Sequence, residues 1–316
     1  MILVINLNAS VDKRYEIEDI QKGQVMRARH VENTPGGKGL HVANVATILK
    51  ENCIVTGFLG GKSGEFIEES VKKYGIKQDF VKISGETRSC LALITDDLMQ
   101  TEILESGPEV SEVEQQHFLE KYIDLIGKAI IIVASGSAPK NVPINFYRKL
   151  IEIANSNGKK FLLDTSGELL KEGIKGKPYF IKPNRDEVEA LTGRKVTSIE
   201  DAIKEIKEFQ SKGIVFVAIS LGAEGSIAGY EGKFYKVKVP KIEAVNPVGS
   251  GDSYVAGVAI AVQRGYKIED TLKFAAACGT ANALEKETGF VTGERVNDLF
   301  EKTIVEEIYL KRIVNQ

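Results

Sequence analysis

The sequence NPVGSGDSYVAG (residues 246–257) joins a loop of small residues to the start of an apolar helix. Glycines in such a loop let backbone N–H groups close on an anion, and the N-terminus of the helix adds its partial positive charge. Binding a phosphate there does not require a carboxylate, and Asp252 would repel one. The position of Asp252 therefore favours a general base beside an anion hole. Asp is also a common residue in the first turn of a helix, and this stretch alone leaves both interpretations open.

Around this stretch, short β runs alternate with helical runs, which indicates a mostly parallel sheet with helices on both faces. The predicted strands lie at residues 2–7, 54–59, 129–135, 160–164, 179–182 and 214–220. The predicted helices lie at residues 39–50, 65–74, 111–126, 144–157, 186–192 and 198–212. We therefore expect a three-layer α/β/α sandwich.

Two segments interrupt the alternation and are predicted to be β hairpins. Their strands lie at residues 13–18 and 24–31, and at residues 88–95 and 100–105. Together they predict a small β-sheet lid formed by residues 11–34 and 87–106, over a core formed by residues 1–10, 35–86 and 107–316. A single subunit would leave apolar residues of this lid exposed, so we expect a homodimer through the lid. These residues are Leu91, Leu93, Ile103 and Leu104.

Polar side chains follow nearly every predicted strand of the core. Because open α/β sheets bind ligands at the carboxyl ends of their strands, this row predicts a site along one edge of the sheet. The row consists of Asn6, Asn8, Ser135, Ser137, Asp164, Lys182, Asn184 and Ser220.

Three further motifs lie near these strand ends. PGGKGLH (residues 35–41) has glycines that permit close backbone approach and a compact positive charge at Lys38, although it also suits an ordinary turn. In KPNRDE (residues 182–187), Asn184 and Glu187 have the spacing of a capping box, and their oxygens would also suit Mg²⁺ bound through water. SLGAEG (residues 220–225) fits either a nucleotide or a β turn.

A fourth segment resembles a P-loop and is rejected as one. The first glycine of GFLGGKS (residues 57–63) lies one residue too close to the Gly-Lys pair, so a strand-to-helix turn is predicted instead. No predicted strand leads into G-x-G-x-x-G, which argues against a nicotinamide-dependent dehydrogenase.

Composition narrows the class of protein. The chain has 316 residues, and 42 Lys and Arg against 44 Asp and Glu give a net charge of −2, so nothing indicates nucleic-acid binding. No apolar run approaches the ~20 residues of a membrane span, and the apolar start MILVINLN is predicted to be a strand rather than a signal peptide. Three widely spaced cysteines favour reduced thiols and a cytoplasmic location.

Taken together, NPVGSGDSYVAG, PGGKG, KPN with Asn184 and Glu187, SLGAEG and Asp12 resemble the ribokinase or phosphofructokinase-B family of carbohydrate kinases. The resemblance covers essentially the whole chain. It implies a ribokinase-like fold, ATP and Mg²⁺ as cofactors, and in many relatives a potassium ion, which nothing local in this sequence indicates.

The resemblance also implies roles for individual residues. It makes Asp252 the catalytic base and Gly249, Ser250 and Gly251 the anion hole. It places Asp12 and Gly37 on the sugar hydroxyls, and Arg27, Lys38, Arg88 and Ser137 on the substrate phosphate. It assigns the nucleotide and magnesium side to Lys182, Asn184, Glu187, Ser220, Gly222 and Gly225, with Glu187 and Asn184 holding Mg²⁺ through water, and Asn282 near the adenine.

One position departs from the family pattern. Relatives commonly carry asparagine where this chain has His41, a residue that would contact the sugar, so the departure bears on sugar specificity and not on the transfer chemistry. Segments 85–93 and 100–110 look like those of members that act on tagatose 6-phosphate, an activity of lactose metabolism. We therefore expect ATP-dependent conversion of D-tagatose 6-phosphate to D-tagatose 1,6-bisphosphate. Fructose 1-phosphate as the substrate, or a sugar-phosphate-binding regulator without catalysis, are the alternatives.

Overall fold

The computed structural model describes residues 1–97 and 99–309. The strands are β1 (Ile2–Asn6), β2 (Ser10–Glu16), β3 (His30–Gly36), β4 (Cys53–Gly60), β5 (Lys77–Gln78), β6 (Val81–Ile83), β7 (Arg88–Ile94), β8 (Gln100–Leu104), β9 (Ile131–Ser135), β10 (Lys160–Asp164), β11 (Phe180–Ile181), β12 (Phe216–Ser220), β13 (Ser226–Tyr230), β14 (Lys233–Lys238) and β15 (Ile304–Ile308). The helices are α1 (Lys38–Ile48), α2 (Gly61–Lys73), α3 (Glu112–Ile126), α4 (Phe146–Ser156), α5 (Gly167–Gly173), α6 (Arg185–Thr192), α7 (Ile199–Ser211), α8 (Ser250–Gln263), α9 (Ile268–Ala283) and α10 (Gly293–Lys302).

A large sheet runs through the centre in the order β15-β14-β13-β12-β11-β10-β9-β1-β4-β5, with β6 also paired to β4. In this sheet, all pairs from β12 through β11, β10, β9, β1 and β4 to β5 are parallel, as is the pair of β4 with β6, whereas β12 to β15 pair antiparallel. This order brings the carboxyl ends of the parallel strands to one edge.

Helices cover both faces of this sheet. In β1, Ile2 and Val4 pack with α1, α2, α8, α9 and α10, while Leu3 and Ile5 pack with α3 to α7. All of these β1 side chains are fully buried, which explains why the central strands appear in the sequence as unbroken apolar runs. The predicted three-layer α/β/α sandwich is confirmed.

Strands β3-β2-β7-β8 form a second, four-stranded sheet. The hairpin predicted at residues 88–95 and 100–105 is present as β7 and β8. The prediction of the first hairpin is partly wrong. Strand β2 pairs with His30–Gly36, and residues 24–29 belong to the connection between β2 and β3. A stretch containing Pro35 and Gly36 has little β propensity of its own, and it is extended because Ser10–Glu16 supplies its partner. The division into a core and a lid stays a prediction.

Three smaller sequence predictions can be compared with the structure. Segment 57–63 is the end of β4 and the start of α2, as expected for a strand-to-helix turn. The antiparallel strands β13 to β15 are absent from the prediction. No helix within residues 1–97 and 99–309 is both long and apolar enough to cross a bilayer.

Candidate active site

Asp252 lies in the first turn of α8 and is buried, with 5% of its surface exposed. The turn before it depends on Gly249, whose φ of +82° is left-handed. The N–H groups of Gly251 and Asp252 have no acceptor among the described residues, as is usual in the first turn of a helix. A buried carboxylate thus lies beside N–H groups that are free to bind an anion.

The loop that carries Gly249 is held from behind by Asn282 of α9. The amide nitrogen of Asn282 donates to the carbonyl oxygen of Val248 at 2.8 Å, and its oxygen accepts from the backbone N–H of Gly289 at 2.8 Å. Asn282 is completely buried. These contacts give Asn282 a bracing position behind the loop, and its assignment near the adenine stays a prediction.

His41 of α1, which the sequence analysis related only to the sugar, contacts the candidate base directly. Its Nδ1 lies 2.8 Å from Oδ2 of Asp252, and the side chains of His41 and Asp252 are 13% and 7% exposed. Burial lowers the pKa of His41, but the hydrogen bond to Asp252 and the carboxylates of Asp252 and Asp12 outweigh it, so the pKa lies above its ordinary value.

A buried carboxylate connects two lysines below the loop. Nζ of Lys38 and Nζ of Lys182 lie 3.7 Å and 3.6 Å from the two oxygens of Asp164, at the end of β10. Burial opposes the charge on Asp164, but the ammonium groups of Lys182 and Lys38 hold the pKa of this carboxyl below its usual range. The carboxylate of Asp164 in turn raises the pKa of Lys38. Nζ of Lys182 also lies 3.3 Å from where a Cβ on Gly251 would stand, beside the free N–H groups.

On the other side of the site, α1 begins against the end of β1. A Cβ on Gly37 would lie only 2.8 Å from Nδ2 of Asn6, so glycine with φ of +110° is required at this position. Asn6 is buried, and its Nδ2 has no hydrogen-bond partner among the described residues. Asp12 accepts a hydrogen bond of 2.6 Å from Ser10, and burial raises its pKa above the ordinary value.

Arg88 connects the small sheet to the edge of the large one. Its guanidinium donates to the backbone oxygen of Asn8 at 3.2 Å and to that of Glu105 at 2.7 Å. The Asn8 amide donates to the Ser137 hydroxyl at 3.0 Å. Arg88 and Ser137 are therefore brought together through Asn8.

Arg27 is the predicted site residue that the structure does not bring to this cluster. It is exposed in the connection between β2 and β3, and it makes no hydrogen bond or ion pair with the described residues. Its assignment to the substrate phosphate stays a prediction.

The predicted nucleotide side lies beyond Lys182. Asn184 and Glu187 form a complete capping box, in which each side chain accepts from the backbone N–H of the other at 2.8 and 2.9 Å. Asn184 also bridges to Ser220 at the end of β12. The capping interpretation is thus correct, and it leaves Oε1 of Glu187 available to a ligand.

The two glycines of the SLGAEG segment have different roles in the turn. Gly222 has φ of +62°, and no atom lies within 4 Å of the place where its Cβ would stand. A Cβ on Gly225, by contrast, would stand 2.0 Å from the carbonyl oxygen of Val237. Packing between backbones therefore explains Gly225, and Gly222 remains on the open face.

No group of three or more His, Cys, Asp or Glu side chains within the described residues can hold a metal ion by itself. Mg²⁺ fits the acidic and amide oxygens of Glu187 and Asn184 only as an ion that keeps most of its waters and shares the phosphates of the nucleotide.

Sequence reasoning places Asp164 and Asn6 in the row of polar strand ends but gives neither a role. The signal that identifies them is burial, since a buried carboxylate between two lysines and a buried amide with an unpaired nitrogen require an explanation.

Anion-binding N–H groups, a buried carboxylate and two lysines at one sheet edge define a phosphotransferase for small molecules. A model of the pfkB family of carbohydrate kinases matches residues 2–293, and the chain belongs to that family. It is accordingly an ATP-dependent carbohydrate kinase, as the resemblance in the sequence predicted.

Solved structures agree with this assignment. A Staphylococcus aureus protein described as a "putative phosphofructokinase" is 30% identical, with a TM-score of 0.85 over 98% of this chain and 99% of that chain. Phosphofructokinase-2 from Escherichia coli, in complex with potassium, is 25% identical, with a TM-score of 0.90 over 95% and 98%. A protein from Thermotoga maritima described as "possible 1-phosphofructokinase" is 26% identical, with a TM-score of 0.88 over 98% and 100%.

Proposed function

We propose that the protein transfers the γ-phosphoryl group of ATP to the primary hydroxyl of D-tagatose 6-phosphate and forms D-tagatose 1,6-bisphosphate. The observation that carries this proposal is the buried Asp252 beside the free N–H groups of Gly251 and of Asp252 itself. A carboxylate at an anion-binding helix terminus suits proton removal from a hydroxyl that attacks a phosphoryl group.

In this proposal the sugar hydroxyl gives its proton to Asp252 as its oxygen bonds to the γ-phosphorus. The bond from that phosphorus to the bridging oxygen breaks in line, and its electron pair leaves with ADP. The N–H groups after Gly249 and the ammonium group of Lys182 stabilise the charge on the transferring group. Glu187 and Asn184 would hold Mg²⁺ through water, and the bound ion would supply further charge neutralisation on the phosphates.

The sugar phosphate would lie between the two sheets. Asp12 and the backbone at Gly37 are suited to sugar hydroxyls, and Lys38, Arg88 and Ser137 are suited to a phosphate. Arg88 supports this role because its guanidinium reaches from β7 to the strand ends of the core. We favour tagatose 6-phosphate as the substrate because segments 85–93 and 100–110 resemble those of kinases that act on this sugar.

A second candidate substrate is fructose 1-phosphate. The Thermotoga maritima protein, described as "possible 1-phosphofructokinase", supports it over nearly the whole chain. Tagatose 6-phosphate and fructose 1-phosphate carry phosphate at opposite ends, so the same cationic groups would hold them in reversed orientation.

The proposal is tested by an ADP-release assay with MgATP on tagatose 6-phosphate, fructose 1-phosphate and fructose 6-phosphate. A kcat/KM at least ~10-fold higher on tagatose 6-phosphate is expected, equivalent to about 1.4 kcal/mol of discrimination. A higher kcat/KM on fructose 1-phosphate would change the proposed substrate but not the proposed phosphoryl-transfer chemistry. The same assay with potassium replaced by sodium tests the potassium requirement that the resemblance suggested.

The role of Asp252 is tested by Asp252→Asn. We expect this variant to bind ATP normally and to lose turnover by roughly a thousandfold, within the range for general bases. Asp270→Asn is the matched control, because Asp270 is also an acidic residue in the first turn of a helix but is exposed at the start of α9. Near-normal turnover of Asp252→Asn would leave Asp252 with only a helix-terminal role.

We also propose that two subunits pair through the small sheet. Ile103 and Leu104 of β8 are exposed, and Leu91 and Leu93 of β7 are half-buried. Phosphofructokinase-2 from Escherichia coli has a tetrameric inhibited form, so higher assembly occurs in a protein of this fold.

A further inference from the structure

His41 is held firmly against Asp252. The two side chains meet at 2.8 Å between Nδ1 and Oδ2, and both are largely buried. Behind the imidazole lies Gly289, where an added Cβ would stand 2.5 Å from Cβ of His41. The backbone of Gly289 is itself fixed, because its oxygen accepts from Asn44 at 2.9 Å and its N–H donates to Asn282 at 2.8 Å. Gly289 therefore packs closely against Cα, Cβ and Cγ of His41 and holds the base of this side chain in place beside Asp252.

We propose that His41 is a positioning residue for the catalytic base, and that its protonation state sets the activity on the acid side of the pH profile. Its Nδ1–H donates to Oδ2 of Asp252 and thereby directs Oδ1 towards the reacting hydroxyl. Of the described residues, none donates to Oδ1, so that oxygen is available for the substrate. This inference rests on the proposed role of Asp252 as the base.

Each proton in this scheme has a defined place. The hydroxyl proton moves to Oδ1 of Asp252 during transfer and leaves to water after product release. His41 keeps its Nδ1 proton throughout, and only its Nε2 gains or loses a proton with pH. His41 is thus not a second base in the reaction.

Three charged groups act on His41 besides its own burial. Asp252 of α8 and Asp12 of β2 favour the imidazolium, whereas Lys38 of α1 disfavours it. The loop behind it contributes the backbone of Gly289. The net result is a pKa above the ordinary value of about 6.5 for histidine.

The sign of the pH effect follows from these charges. Below its pKa, His41 is an imidazolium, and its positive charge beside the Asp252 carboxylate opposes transfer of the hydroxyl proton to that carboxylate. Above its pKa, the neutral imidazole keeps the Nδ1–H bond without the charge. The value of kcat should therefore fall as the pH drops through the pKa of His41.

The variant His41→Asn separates the effect of the hydrogen bond to Asp252 from the effect of the charge on the imidazole. Nδ2 of asparagine is bonded to Cγ as Nδ1 of histidine is, so His41→Asn keeps a donor near the same place but cannot titrate. His41→Ala removes both donor and charge. His117→Asn is the matched control, because His117 is an exposed histidine on α3.

The decisive experiment measures kcat and both KM values from about pH 5.5 to 9, the range in which a histidine titrates. The parent protein should show an acid limb with a midpoint above the ordinary histidine pKa, and His117→Asn should match it. His41→Asn should lose that limb. At alkaline pH, His41→Ala should have a kcat lower than that of His41→Asn by about tenfold or more, the size of one hydrogen bond to a charged group, with smaller changes in KM.

A second measurement does not depend on turnover. The NMR titration of the His41 imidazole should move to lower pH in Asp252→Asn, because the negatively charged partner is gone. This measurement tests the pairing of His41 with Asp252 even if His41→Ala does not fold. An acid limb that persists in His41→Asn, or an unchanged His41 titration in Asp252→Asn, would overturn the proposal while leaving Asp252 as the base. Full turnover by Asp252→Asn would instead overturn the role of the base, and the pairing would still be visible by NMR.

Discussion

Gly249 shows how a single backbone conformation builds the anion site. It has φ of +82°, and a Cβ there would lie 2.7 Å from Cγ2 of Thr288 and 2.8 Å from the backbone nitrogen of Gly289. Two separate effects therefore oppose any larger residue, namely left-handed strain and a clash with the loop after α9.

We predict that Gly249→Ala lowers kcat by roughly a hundredfold or more, the size of losing one oxyanion contact, because the clash displaces the N–H groups. Gly265→Ala is the control. Gly265 has a similar φ of +72°, but no atom lies within 4 Å of its added Cβ, so it carries the strain without the clash. Steady-state kinetics and thermal unfolding measure both effects, and equal kinetics for the two variants would contradict the prediction.

Asp164 stabilises the fold through its charge. Its pKa in the folded protein is below the ordinary value because Lys182 and Lys38 flank it despite its burial. A depressed pKa means that the stabilisation is fully present above the unfolded value of about 3.9 and is lost as the pH falls through the lower folded value.

We predict that Asp164→Asn reduces the free energy of unfolding by about 3 kcal/mol at neutral pH, as expected when a buried ion pair loses one partner. The deficit should stay constant down to about pH 5 and narrow only below about pH 4. Urea denaturation across this range measures it. Asp298→Asn is the control, because its pair with Lys302 is more than half exposed and should contribute under about 1 kcal/mol. A deficit that disappears near neutral pH would be inconsistent with a depressed pKa.

At the scale of elements, β7 connects the two sheets through its first residue. Ser10 lies opposite Arg88 in the parallel pairing of β2 with β7, which sets the guanidinium over the strand ends of the core. The small sheet thereby contributes a cation to a site that otherwise belongs to the large sheet.

We predict that Arg88→Ala raises KM for the sugar phosphate by about ten- to a hundredfold, the range for hydrogen bonds to a charged group, with a much smaller change for ATP. Arg14→Ala is the control, because Arg14 lies on the adjacent strand β2 and pairs with Glu16. Arg88→Lys keeps the charge but loses the paired donors of the guanidinium, so its KM for the sugar phosphate should lie between those of the parent protein and Arg88→Ala. Equal increases in KM for both substrates would point to general damage of the fold.

The sequence predicts the parallel core elements well because their residues carry the signal themselves. Unbroken apolar runs and periodic helices define β9, β10 and α3 to within a few residues. Strand β3 is misplaced and the strands β13 to β15 are missed. Strand β15 is extended because it pairs with β14, far away in the sequence, whereas β13 and β14 form a local hairpin, with Tyr230 opposite Lys233, that the sequence prediction overlooked.

In the candidate site too, local motifs can be predicted from the sequence, and contacts between distant residues cannot. Glycines and the capping box are visible because they are local motifs. The contacts of His41 with Asp252, and of Lys38 with Asp164, join residues far apart in the chain, so no spacing in the sequence reveals them. Burial and proximity emerge only when the sheet order is known.

At the scale of the whole molecule, the small sheet leaves an apolar surface uncovered. Ile103 and Leu104 lie on its edge strand β8, with Leu104 62% exposed. An exposed apolar edge strand favours pairing with another chain, so the proposed dimer would bury it.

We predict a dimer at micromolar concentration by light scattering, and a monomer for Leu104→Glu, because the new charge would be buried in the interface. Val113→Glu is the control, since Val113 on α3 is 64% exposed and lies outside the small sheet. A parent protein that is already a monomer would refute the proposed assembly.

The place of β1 in the large sheet has a consequence for how the chain is made. Ile2 lies opposite Cys53 of β4 on one side and Ile131 of β9 on the other. Because the ribosome releases the chain from its N-terminus, β1 emerges long before either partner exists. One edge of this apolar strand remains open until β9 has been synthesised, and open apolar edges invite aggregation. Protection of the nascent segment between β1 and β9 should therefore matter more to the yield of folded protein than protection of any later segment.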